Sequence, residues 1–225
     1  MKKLQYLLLP SITLVVFIIF TILVKTVDVH YIQDIGFLGF YSLNASVNNF
    51  VVSLDNALHN KVSDLLLYFS FATILPFAIM GLVQLIKRKS LFKVDREIYI
   101  MLAGYLMAVV SYFIFELVKI NYSPLSTADN LKPSYPSSHA FLFVTILGIN
   151  LFGLLYYVKM PNWCKIAGLC CVIILSIAMI IIRLFSGHHY LTDIIGAILL
   201  SINLLSIFAS ILKFSFDKKE ETVSE

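Results

Sequence analysis

The chain has 225 residues, of which 60% are hydrophobic and 13% charged, with a formal net charge of +4. A soluble domain carries about a quarter charged residues, so this composition excludes one and leaves an integral membrane protein. The length allows about six spanning helices of ~20 residues each and no second soluble domain, so the chain is read as one domain over 1–225.

Six apolar runs follow in chain order, at about 5–24, 64–86, 97–118, 139–158, 166–183 and 194–212. The expected fold is an all-α bundle of six transmembrane helices. Lys2 and Lys3 before the first run resemble a signal peptide, but the run is long and Thr26-Val27-Asp28 offers no cleavage site, so a retained helix is expected. Between about 26 and 63, the apolar stretches Gly36–Phe40 and Phe50–Val52 suggest an amphipathic segment on the outer leaflet. A short helix could begin at Ser53, Asp55 and Asn56. Pro124, Pro133 and Pro136 stiffen the loop before the fourth run. The tail from 214 to 225 is charged and expected to be disordered and cytoplasmic.

Alternation from a cytoplasmic N-terminus places Lys2, Lys3, Lys87, Arg88, Lys89, Lys93, Arg96, Lys159, Lys165, Lys213, Lys218 and Lys219 inside. Lys25, Lys61, Lys119, Lys132 and Arg183 fall outside, in agreement with the positive-inside rule. The basic clusters are topology signals, and nucleic-acid binding has no support. Cys164, Cys170 and Cys171 have no metal-ligand spacing and sit in a reducing, apolar setting, so buried packing is expected of them. Asn44-Ala45-Ser46 and Asn121-Tyr122-Ser123 match the weak glycosylation pattern.

All five histidines fall on the outer side, together with two polar strings: Tyr135-Pro136-Ser137-Ser138-His139, and Arg183 through Asp193. Such groups are costly beside a bilayer unless they act. Pro136 and Ser137 before an apolar run mark a helix start, whose free N–H groups and dipole suit a phosphate. His139 stands where a proton could pass to a leaving oxygen. His189 and Asp193 are four apart, one face of a helix, so the carboxylate could hold one imidazole nitrogen and free the other as a nucleophile. Arg183 offers a planar fork for phosphate oxygens. Glu116 and Lys119 are expected to pair along a helix.

Pro136-Ser137-Ser138-His139 resembles the second motif of the type 2 phosphatidic acid phosphatase superfamily, Pro-Ser-Gly-His with Ser allowed third. Arg183, His189 and Asp193 match the spacing of its third motif, with Ile182 where Ser is usual. The first motif, Lys-x6-Arg-Pro, is degenerate: Ser123 before Pro124 takes the arginine's place and Glu116 the lysine's. The resemblance implies His189 as nucleophile, Asp193 as its orienter and His139 as acid and then base. It implies that Arg183, Ser137 and Ser138 hold the phosphate, with Lys119 or Lys132 replacing the missing cations, and that no metal or cofactor is needed. The implied partner is a membrane lipid phosphate or diphosphate: undecaprenyl diphosphate, phosphatidylglycerol phosphate, phosphatidic acid or lipid A. The site would face outward from the plasma membrane, with both termini cytoplasmic. A lipid phosphotransferase, or a weakened lipid-phosphate binding or transport protein, is the alternative.

Overall fold

The computed structural model describes residues 2–32, 36–52 and 57–224. Helix α1 spans Lys2–Thr26. A small antiparallel hairpin follows, β1 (His30–Ile32) against β2 (Gly36–Leu38), and then α2 (Tyr41–Val52). Next come α3 (Ala57–Ala72), α4 (Leu75–Arg88) and α5 (Arg96–Leu117). The last three are α6 (Ser138–Tyr157), α7 (Asn162–Phe185) and α8 (Leu191–Ser224). Six stretches are long and apolar enough to cross a membrane, with α3 and α4 together forming one of them. The chain is a multi-pass helical membrane protein, as its composition requires.

The α3–α4 break lies inside the run expected to be continuous from 64 to 86. Pro76 sits in the first turn of α4 and lacks the N–H that would bond back to Ala72, so the ladder is interrupted. Asn150 of α6 meets the break, donating to Thr73 Oγ1 at 2.6 Å and accepting from the Tyr105 hydroxyl. In lipid such polar pins satisfy groups that have no water to bond.

Helix α6 is the axis of the bundle. Of its most apolar stretch 67% is buried, against 6% for α7, whose free side faces outward. Packed around it are α3, α5, α7 and α8, while α1 lies along α8. Near the polar strings the core is Ala140, Phe141, Ile146, Ile194, Ala197 and Leu200. At the opposite end it is Ile100, Met101, Ile149, Phe208 and Leu212. Tyr135 threads between α1 and α8, its hydroxyl 2.7 Å from Thr21 Oγ1. Its ring lies where Gly196 has no side chain: a Cβ there would come within 2.4 Å of Tyr135 Cε2. The ring is buried and pinned at its tip, so it cannot yield. Gly196→Ala is therefore expected to destabilise the fold by about 2–3 kcal/mol, the cost of overpacking a tight core. Thermal unfolding of the purified protein in detergent checks this; an unshifted Tm would refute the clash.

Several expectations need correction. The tail expected to be disordered from 214 continues α8 as helix to Ser224. Phe216 stacks near Tyr156, and the Tyr6 hydroxyl donates to Asp217, so the first turn beyond 213 has packing partners. Cys170 and Cys171 are exposed and Cys164 half-buried, on a helix whose outward face also shows Ile166, Ile173 and Ile177. They do not pack inside. The Glu116–Lys119 pair does not form, because α5 ends at Leu117 and Val118 is extended, which carries Lys119 off the helix face. Asn44 and Asn121 are buried and bonded within the protein, so neither is a glycosylation acceptor. The segment expected to be amphipathic forms the hairpin and α2, which buries Asn44 against Thr192 and exposes Leu43 and Phe50. The helix start considered at Ser53, Asp55 and Asn56 lies outside the described residues.

Candidate active site

Both polar strings meet at one end of the bundle. The Ser137 N–H donates to the Asp193 carbonyl at 3.0 Å, tying the start of α6 to the first turn of α8. The chain reaches that point through a tight reversal after α7. The Ser186 hydroxyl donates to the Arg183 carbonyl at 2.7 Å, and Gly187 takes φ +72°, a left-handed conformation that glycine adopts without strain.

His189 is buried in that reversal, before α8 begins rather than on it. Arg183 Nη2 lies 3.0 Å from His189 Nε2, and the Ser134 carbonyl lies 3.0 Å from Nδ1. A guanidinium only donates, so Nε2 must be the acceptor and Nδ1 must carry the proton. Asp193 was expected to hold that proton. Its Oδ2 is 3.8 Å from Nδ1, and the carboxylate instead accepts from the Tyr190 N–H at 2.9 Å and from Asn121 Nδ2 at 3.2 Å. It caps its own helix, where a negative charge is favoured. The nearer acceptor for His189 is a backbone carbonyl, with Asp193 adding charge behind it. Burial first, and then the Arg183 guanidinium, hold the imidazole below the ordinary histidine value, with Asp193 opposing them. The ring is therefore neutral at neutral pH, with its Nε2 lone pair facing the site.

Arg183 is buried, only 5% exposed, which rules out a side chain snorkelling to head groups. Nη1 donates to Asn60 Oδ1 at 2.8 Å and to Ser63 Oγ at 3.2 Å. Nε has no partner among the described residues, and neither have the buried hydroxyls of Ser134 and Ser137 or Nδ1 of His139. Donors left open beside a helix N-terminus form a cradle for an anion. Ser137 precedes α6 but makes no side-chain capping bond, so its hydroxyl is not spent on the helix. His139, in the first turn, places Nε2 2.9 Å from Asp64 Oδ1. A cleft of about 330 Å³, counting its open mouth, reaches His189 past Glu116, Tyr112, Ser134 and Ser138.

The structure thus brings together His189, His139, Asp193, Arg183, Ser137 and Ser138. The two lysines are not part of the cluster. Lys119 is exposed beyond α5, and no contact joins it to the site among the described residues. Lys132 is exposed too, close enough to add to the positive field at His188, but it holds its loop through backbone bonds with Ser123 and Ser126. Ser123, in the place of the first motif's arginine, donates to the His188 carbonyl at 2.8 Å and so braces the reversal. Lys25 Nζ donates to the Ile120 carbonyl at 3.2 Å. Sequence reading missed Asn60, Ser63 and Asp64. They sit at i, i+3 and i+4 on α3, seven residues longer at its start than the apolar run showed. Asn44 and Asn121 were also missed; both bond Thr192 and brace the first turn of α8.

A family model described as the PAP2 superfamily matches residues 65–217. A search of curated proteins gave no match. Among solved structures, the chain is similar to the first transmembrane PAP2 type phosphatidylglycerolphosphate phosphatase from Bacillus subtilis. The TM-score is 0.63 at 18% identity, covering 94% of this chain and 96% of that one. This likeness is one of fold.

Proposed function

From the premise that the chain belongs to the PAP2 superfamily, we propose that it is a membrane phosphatase that hydrolyses a lipid phosphate or diphosphate through a phosphohistidine. The observation that carries the reading is His189: neutral, with its lone pair on Nε2 aimed at the Arg183 guanidinium. A binder of lipid phosphates needs positive charge; it does not need an oriented, uncharged nucleophile.

The substrate phosphate enters between His189 and Arg183, accepting from Nη2, the open Nε and the hydroxyls of Ser137 and Ser138. The His189 Nε2 lone pair attacks phosphorus, and the P–O bond to the lipid breaks. His139 gives its proton to the departing lipid oxygen, which leaves as an alcohol, or as a phosphate from a diphosphate. Water then attacks phosphorus as the P–N bond breaks; His139 takes a proton from the water, and inorganic phosphate leaves with His189 restored. Arg183 and the N–H groups of α6 gather the charge that builds on the equatorial oxygens. Asp193 steadies the imidazolium character of His189 during attack.

The positive-inside pattern supports cytoplasmic termini and a site on the outer face of the plasma membrane. That position favours a lipid substrate: undecaprenyl diphosphate, phosphatidylglycerol phosphate, phosphatidic acid or lipid A. The chain's own groups supply nucleophile, acid and anion cradle, so turnover should survive chelation. The deciding experiment is phosphate release by the purified protein in detergent with EDTA, across that lipid panel. Release from one lipid is expected. Loss of all release on adding EDTA would overturn the metal-free mechanism, and lipid alcohol formed without free phosphate would point to transfer to a second lipid.

A further inference from the structure

Helix α3 carries an acceptor face that the histidine chemistry above does not explain. Asn60, Ser63 and Asp64 share one side of it; the first two receive Arg183 Nη1, and the third meets His139. We propose that Asp64 is a positioning residue for His139, holding the ring and its proton ready for the departing lipid oxygen. The proposal rests on the phosphatase reading and deepens it.

The contact is Asp64 Oδ1 to His139 Nε2, 2.9 Å. The other ring nitrogen, Nδ1, is buried with no partner among the described residues. One hydrogen bond therefore fixes the ring, and it is the one to Asp64. A carboxylate accepts only, so the proton lies on His139 Nε2. The pair stands at the open edge of the site, Asp64 40% and His139 24% exposed, so an oxygen of the substrate can reach the same proton. Titratable groups face His139 from several elements. Asp64 comes from α3, Arg183 from α7 and His189 from the reversal before α8. From α5 Glu116 lines the cleft that also touches Ser138, and on α8 Asp193 is taken up by Tyr190 and Asn121. Asp64 is the carboxylate in hydrogen-bonding contact with the ring.

An acid matters only where the leaving oxygen needs a proton. A lipid alkoxide needs one; a 4-nitrophenolate does not. The test compares Asp64→Asn, Asp64→Ala and the parent on two substrates in the same preparations: a lipid monophosphate in mixed micelles and 4-nitrophenyl phosphate. His189→Ala run beside them reports whether turnover uses the proposed nucleophile. If Asp64 acts through His139, the ratio of lipid to aryl turnover falls by about 10–100-fold in Asp64→Ala, within the range general acid catalysis supplies. Asp64→Asn, which keeps a hydrogen-bonding oxygen and drops the charge, falls between. Because the readout is a ratio, a poorly folded fraction cancels. Equal losses on both substrates, with turnover still dependent on His189, would overturn the role of Asp64 alone. Turnover indifferent to His189 would overturn the phosphatase reading and Asp64's role with it.

Discussion

His189→Ala is expected to lower kcat by at least about 10⁴-fold, a large share of the roughly 10⁶-fold lost when a hydrolase triad loses its nucleophile. Asn60 and Ser63 also bring lone pairs to Arg183, but an amide oxygen, and a hydroxyl whose proton goes to the Asn60 carbonyl, are poor nucleophiles beside an imidazole. Ser137 and Ser134 offer hydroxyls, but neither hydroxyl has a base bonded to it to take its proton. The variant should still insert and fold, since the imidazole's two bonds go to Arg183 and one carbonyl rather than to the core. Rapid quench of the parent with a ³²P-labelled lipid phosphate should trap label on the protein that is stable to base and released by acid, as expected of a P–N bond. The variant should trap none. The pH profile gives a second view. Burial and Arg183 lower the His189 proton affinity, so the neutral nucleophile persists as pH falls past the ordinary histidine value of about 6.5. The acid limb of kcat/KM should then lie below that value; a limb at or above it would contradict the environment described here.

Arg183→Lys is expected to cost about 10²–10³-fold in kcat/KM, the usual loss when one preorganised donor to developing charge is removed. The guanidinium does three things at once: Nη1 reaches Asn60 and Ser63, Nη2 reaches His189, and Nε stays open. An ammonium is a point donor on a flexible stem and cannot span those directions. The acceptors on α3, buried Ser63 and half-buried Asn60, would lose their partner, so stability should fall as well. The signature to look for is a loss shared between KM and kcat, because the fork both binds phosphate and meets its growing charge. Near-parental kinetics in the lysine variant would mean that charge alone, and not the fork, serves the substrate.

The membrane class, the six spans and the polar strings were all legible in the chain. Each rests on local chemistry: runs of apolar residues long enough for a bilayer, and polar groups too costly to keep there idly. The pairing of Pro136–His139 with Arg183–Asp193 was legible for the same reason, since both strings sit at ends of spans that alternate to one side. What could not be read was who bonds to whom. Asp193 lies four residues after His189, and the spacing suggested a helical pair. The helix starts at Leu191, so the carboxylate is spent on the Tyr190 N–H and the Ser134 carbonyl receives the imidazole.

The same limit hid Asp64. In sequence it opens an apolar run and looks like the edge of a span; only the packing of α3 on α6 and α7 turns it toward His139. Lys119 and Lys132 differ in the other direction: near the site along the chain, they make no side-chain bond to its cluster among the described residues. Hydropathy and short motifs are set by the cost of placing each residue in water or lipid, and that cost is a property of the residue itself. A hydrogen-bond partner is set by the meeting of helices distant along the chain, and only the tertiary structure decided those meetings.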